Sequence, residues 1–350
     1  MLNTCNAEIK MIQAIIRHGD RYPESKKTLL AIYPNDPYFN DTWEPYGKMG
    51  LAKKGKTNAF KMGMFLRNRY DELLGSIYDE KEVYFRSTDT SRTITTGRWV
   101  AAGLYSDPRP QNLNSTLFPI YIPINVVPYE EDTLNNAFML CENYFIDKQI
   151  SEKIVKKQKD FKNLGTLLKY LSVHTGIEHS SCSQSFGLYH NFVAQTNLGL
   201  KTEPWVDLVF PFGQLWNMSV IEYKLQSYTD RMKRLTGGIW IRKFLEHVNN
   251  FVEETDDHKA YFYINYEFHT VAILNTLGVY EPHIPSYLST VIFELHEINN
   301  ELFVKVIHKN GDVLTELVIP GCQKSLCSLK TFENVLKNVT LDNFEEDCGK

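Results

Sequence analysis

Residues 10–23, KMIQAIIRHGDRYP, decide how the chain is read. From Lys10 to Ile16 the run is an apolar strand of the kind that a parallel sheet covers on both faces. It stops abruptly at Arg17, which places Arg17, His18 and Arg21 at the mouth of that strand. Guanidinium forks suit the several oxygens of a phosphate or carboxylate, and arginines crowded together repel one another unless an anion arrives. An imidazole among them can attack phosphorus and carry the phosphoryl group covalently.

Outward from this stretch, the chain alternates strands and helices. A helix follows Gly50, a short strand spans 82–85, and RSTD (86–89) leads into a second helix, which together make a βαβ pattern. Residues 134–245 change character, with several amphipathic helical stretches and no convincing strand. The alternation then resumes with a helix from Ile239, a strand at 260–265 and a helix through TVAILNTLGV. The segment 290–318 alternates around Asn-Asn and Asn-Gly-Asp turns, as an antiparallel meander at a sheet edge does. The expected fold is α/β: a mostly parallel central sheet flanked by helices, built from 1–133 and 246–350, with 134–245 inserted as an α-helical cap. Polar clusters follow three of the strands, and ligands of open α/β sheets bind beyond the carboxyl ends of strands. Arg86 and the carboxyl group of Glu267, a candidate proton donor to a leaving oxygen, therefore join Arg17, His18 and Arg21 in one expected crevice.

The bulk composition narrows the partners. The chain of 350 residues is 43% hydrophobic with a net charge of −4, so it can bury a large core and shows neither a nucleic-acid face nor a polybasic membrane surface. It has no apolar run long enough to span a bilayer and no signal peptide, so it is cytosolic or its leader has been removed. Zinc-type CxxC spacing is absent, and neither metal nor cofactor is expected. Six cysteines, with sequons at Asn40, Asn114, Asn217 and Asn338, point to a secreted glycoprotein.

RHGDRYP, VYFRSTDTSRT, RLTGGIWIRKFLEH, LNTLGVY and IPGCQKSLC together resemble, in order, the landmarks of the histidine acid phosphatases. This branch of the histidine phosphatase superfamily includes prostatic and lysosomal enzymes and insect venom and salivary relatives. The resemblance runs from about residue 8 to 348 and is weakest in the helical insert. It implies His18 as nucleophile, Arg17, Arg21 and Arg86 as the phosphate clamp, and Glu267 as proton donor. It also implies bridges Cys322–Cys327 and Cys141–Cys348, leaving Cys5 and Cys182 to pair with each other. The fold's members are often dimers, so a homodimer is an open assembly.

The family pattern has a histidine immediately before the acid, where this chain has Tyr266. Reaching His269 instead would put Thr270 in the acid's place, a less economical alignment. Losing a preorganised donor of this kind costs on the order of a hundredfold to a thousandfold in rate. The resemblance extends to acid phosphatase-like salivary proteins of blood-feeding insects such as fleas. That implies a binder of small mediators, either biogenic amines such as serotonin and catecholamines or leukotrienes. An ammonium asks for a carboxylate and aromatic faces, which Asp20, Glu267 and Tyr266 supply, whereas the arginines favour a lipid carboxylate. The alternative is a working secreted acid phosphatase that hydrolyses phosphate monoesters through phospho-His18.

Overall fold

The computed structural model describes residues 7–24, 33–106, 122–157 and 164–349. Among the described residues eight strands form one mixed, mostly parallel sheet flanked by helices: β1 (Glu8–Arg17), β2 (Val83–Ser87), β3 (Asn125–Val126), β4 (Ala260–Asn265), β5 (Thr290–Ile298), β6 (Glu301–Asn310), β7 (Val313–Leu317) and β8 (Leu326–Ser328). The order is β3-β2-β4-β1-β5-β6-β7, with β8 also on β6. β3, β2, β4 and β1 pair in parallel; β5, β6 and β7 form the antiparallel meander expected from 290–318, joined to β1 through β5, and β8, beyond that span, adds an antiparallel strand on β6.

Both faces of the parallel half are covered, as the apolar runs require. Ile12, Ile16, Phe85, Phe262 and Ile264 pack against the helices Lys53–Arg69 and Ser91–Leu104 through Ala59, Leu66, Val100 and Leu104. On the opposite face Met11, Ile15, Tyr261 and Tyr263 pack against Trp240, Phe244 and Val248 of the helix Ile239–Val252. Every residue of β4 is buried.

The helical insert has a core of its own, in which Leu167, Leu171, Phe192, Val206 and Leu215 meet. Its extent differs from the expected 134–245. Leu134, Ala137, Cys141 and Tyr144 belong to the sheet's back-face core, and the helix Ile239–Val252 runs unbroken across residue 245 and lies on that core. The physical reason is that amphipathic helices look alike in sequence whether their apolar stripe faces a sheet or other helices. The disulfides Cys141–Cys348 and Cys322–Cys327 are formed. Cys182 is a buried thiol, while Cys5 and Asn114 lie outside the described residues. Among the described residues no helix is long and apolar enough to cross a membrane.

Candidate active site

The carboxyl ends of β1 and β4 build the site. The last residues of the two strands, Arg17 and Asn265, are in register, and the His18 N–H continues the pairing by donating to the Asn265 carbonyl at 2.8 Å. The Gly19 N–H donates to Thr96 Oγ1 at 3.1 Å, and that hydroxyl donates back to the Arg92 carbonyl. This ties the RHG turn to the helix after β2. Glycine at position 55 lets the next helix seat against the turn, because a Cβ there would lie 2.2 Å from the Asp20 carbonyl oxygen.

His18 is buried, and its Nδ1 lies 2.8 Å from the Gly19 carbonyl. A carbonyl only accepts, so Nδ1 carries the hydrogen and Nε2 keeps its lone pair. Burial first, and then the charges of Arg92 and Arg17, push the His18 pKa well below the ordinary range and hold the ring neutral. Glu267 opens the helix Glu267–Thr276, with its Oε2 3.0 Å from Arg17 Nε and 4.0 Å from His18 Nε2. Burial raises the carboxyl pKa, but opposing effects led by the Arg17 charge outweigh it and hold Glu267 as a carboxylate, well below the usual range. Burial likewise opposes the Arg17 charge, and Glu267 together with Tyr287, Tyr223 and Asp20 more than offsets it. Arg17 Nε and Glu267 Oε2 touch without an aligned hydrogen bond, so both keep capacity for a ligand. Arg17 also donates from Nη1 to the Pro285 carbonyl at 2.5 Å and lies over the Tyr287 ring at 4.4 Å.

Arg21 is buried, donates to the Tyr22 carbonyl and faces Glu24 at 3.9 Å. Arg86 is not part of this cluster, contrary to the expectation. In β2 it pairs with Tyr263, two residues short of Asn265, about 7 Å below the carboxyl edge at ~3.3 Å per residue. With Tyr84 it faces the back of the sheet, where its Nη2 meets Asp132 Oδ1 at 2.5 Å and it lines a separate cavity with Arg242 and Lys243. Arg92, in the first turn of the next helix, reaches the site instead. It bears on the charge of His18, its Nε is buried without a partner, and its guanidinium stands 4.9 Å from the Tyr266 ring centroid.

The Tyr266 ring meets His18 edge-on at 6.0 Å. His269 is committed to structure: Nδ1 accepts from the Tyr266 N–H at 3.4 Å and Nε2 donates to the Asn135 carbonyl at 2.9 Å. Tyr287, Tyr223 and His190 complete the surroundings. Sequence reading missed them because they arrive from a loop and from the insert, with no motif to mark them.

Of these residues, Arg17 and Tyr287 line a cleft of about 800 Å³ beside the insert. Arg17 and Tyr287 stand at one end, and Asp20 is joined along its wall by Tyr189, Phe212 and Trp216. Asp20 is buried and accepts from Asn58 Nδ2 at 2.9 Å and from Asn197 Nδ2, with Lys54 Nζ at 3.8 Å. Phe212 is 86% exposed at this cleft.

Residues 8–309 match the histidine phosphatase superfamily (branch 2). A venom acid phosphatase of Apis mellifera is 32% identical over 98% of this chain and 88% of its own length. A lysosomal acid phosphatase of Rattus norvegicus is 27% identical over 97% and 80%. Among solved structures, a phytase from Citrobacter braakii superposes with a TM-score of 0.70 at 16% identity, covering 98% of this chain and 99% of that one.

Proposed function

The chain belongs to the histidine phosphatase superfamily, branch 2, and from that premise we propose that it is a small-molecule-binding relative of the acid phosphatases in which phosphoryl transfer is impaired. The observation that carries this reading is Tyr266, whose ring stands beside His18 and under Arg92, where the family pattern has a second imidazole. It offers a hydroxyl in place of a ring nitrogen, and its ring fills space that the transferring group would need. Glu267, held as a carboxylate by Arg17, has no proton to give a leaving oxygen.

The ligands of this reading are small mediators: biogenic amines such as serotonin and catecholamines, or leukotrienes. An ammonium would settle against Asp20, displacing the half-exposed Lys54, with the rings of Tyr189 and Trp216 beside it. A leukotriene carboxylate would turn to Arg17 and lay its chain along the cleft. Disulfides fit a protein made for an oxidising compartment, and secretion is part of the proposal.

The second reading, an active phosphatase working through phospho-His18, draws on the free Nε2 that the Gly19 contact leaves. Arg17, Arg21 and Arg92 would then clamp the phosphoryl group. Hydrolysis of an aryl phosphate between pH 4 and 7 separates the two. The binding reading expects little native turnover and a rise of about a hundredfold in Tyr266→His. Robust native turnover would remove it.

A further inference from the structure

We propose that His190 is the second imidazole of this site, donating its Nδ1–H to an oxygen of a phosphate-like group held by Arg17 and Arg21. The inference rests on the arginine end being an oxyanion seat, whether or not phosphoryl transfer follows. His190 comes from the insert, on the helix Cys182–Asn197, and is 4% exposed. The helix is fixed to the RHGDRYP turn by its next residue, since Asn191 Oδ1 accepts from the Glu24 N–H at 3.0 Å. The preceding residue, Tyr189, lines the cleft with Arg17. His190 itself stands within electrostatic reach of Glu267, Arg17 and Arg21.

The hydrogen bonding of the ring points to a missing partner. Its Nε2 lies 3.0 Å from the hydroxyl of buried Tyr223, and its Nδ1 is buried with no partner. Burial holds the Tyr223 phenol protonated, so it can donate to Nε2, which leaves the hydrogen on Nδ1. A buried N–H without an acceptor is costly, and such groups are normally satisfied. The acceptor that this position lacks is an oxygen on the guanidinium cluster. A neutral imidazole also suits a pocket that already holds three arginines, because it contributes a donor without a further charge. The chain thus regains, from its insert, a donor of the type it lacks at Tyr266.

The experiment is titration calorimetry of the full chain with inorganic phosphate at pH 6, with the phosphate-dependent rise in Tm measured alongside. Native protein should bind phosphate. His190→Ala should weaken binding about tenfold to a hundredfold, the range for one hydrogen bond to a charged group. His190→Asn, whose amide can present a donor near the Nδ1 position, should stay within about threefold of native. Each variant's Tm rise is scored against its own unliganded Tm, so a destabilised variant remains informative. Native-like affinity in His190→Ala, equal loss in both variants, or no phosphate binding by the native protein would each overturn the proposal. Serotonin titration and aryl phosphate turnover report on the proposed function separately: a chain that binds phosphate through His190 but turns over robustly breaks that reading and leaves this one.

Discussion

Arg86 and Arg92 are six residues apart, and the fold sends them to opposite sides of the sheet. Arg86 lies within a strand and faces the back of the sheet, where the buried carboxylate of Asp132 neutralises it. Arg92 begins a helix on the site face, with its Nε unpartnered and its charge bearing on His18. The first is a structural ion pair. Among the described residues the second has no carboxylate in ion-pair contact, and burial and neighbouring Arg21 disfavour its charge more than Tyr266, Glu267 and Glu24 favour it. An arginine stands ready for a ligand when its surroundings leave its charge uncompensated, and a place in a motif does not ensure that.

The comparison breaks most readily through paired substitutions. Arg92→Ala should weaken phosphate binding on the order of a hundredfold, whereas Arg86→Ala should leave it unchanged. Urea unfolding should reverse the order, because Arg86→Ala strands Asp132 as a buried charge and costs about 3 kcal/mol. If Arg86→Ala lost phosphate and Arg92→Ala did not, the assignment of faces would be wrong. A smaller effect sharpens the contrast between the arginine end of the cleft and its Asp20 end. Asp20→Asn should weaken serotonin about tenfold while phosphate affinity holds or improves, as calorimetry would show.

A last comparison sets the buried histidines of the two sides next to each other. Burial lowers both His190, beside the cleft, and His247, on the back face, to a pKa of about 3. Each stays neutral in the folded chain while its unfolded counterpart takes up a proton below about pH 6.5. Their stability contribution is therefore complete above that pH and is lost as pH falls toward 3, by about 1.4 kcal/mol per unit for each group. Urea midpoints at pH 7 and pH 5 measure the slope, and a flat profile would show that these rings are not buried neutral.

Much of the frame was legible in the sequence. The runs 10–16 and 260–265 are apolar because both faces of those strands are covered, and the 290–318 alternation marks an edge meander. Arg17, His18, Arg21 and Glu267 were legible as one cluster because strands that end in polar residues in a parallel sheet share one edge. Arg86 was misplaced for the same reason that β2 was readable: a strand buried on both faces carries no mark of which face a given side chain takes.

The sequence by itself determined the strands at 10–16, 82–85 and 260–265 and the 290–318 meander, the strand-end chemistry at Arg17, His18 and Glu267, and the tyrosine at 266, since each depends on local pattern or on residue identity. Only the tertiary structure decided that Arg92 rather than Arg86 bears on His18, that Glu267 pairs with Arg17, and that the insert brings His190 within electrostatic reach of Arg17 and Tyr189 onto the cleft wall. Those outcomes depend on register, on the face a side chain takes and on packing between segments about 170 residues apart along the chain, which no local pattern encodes.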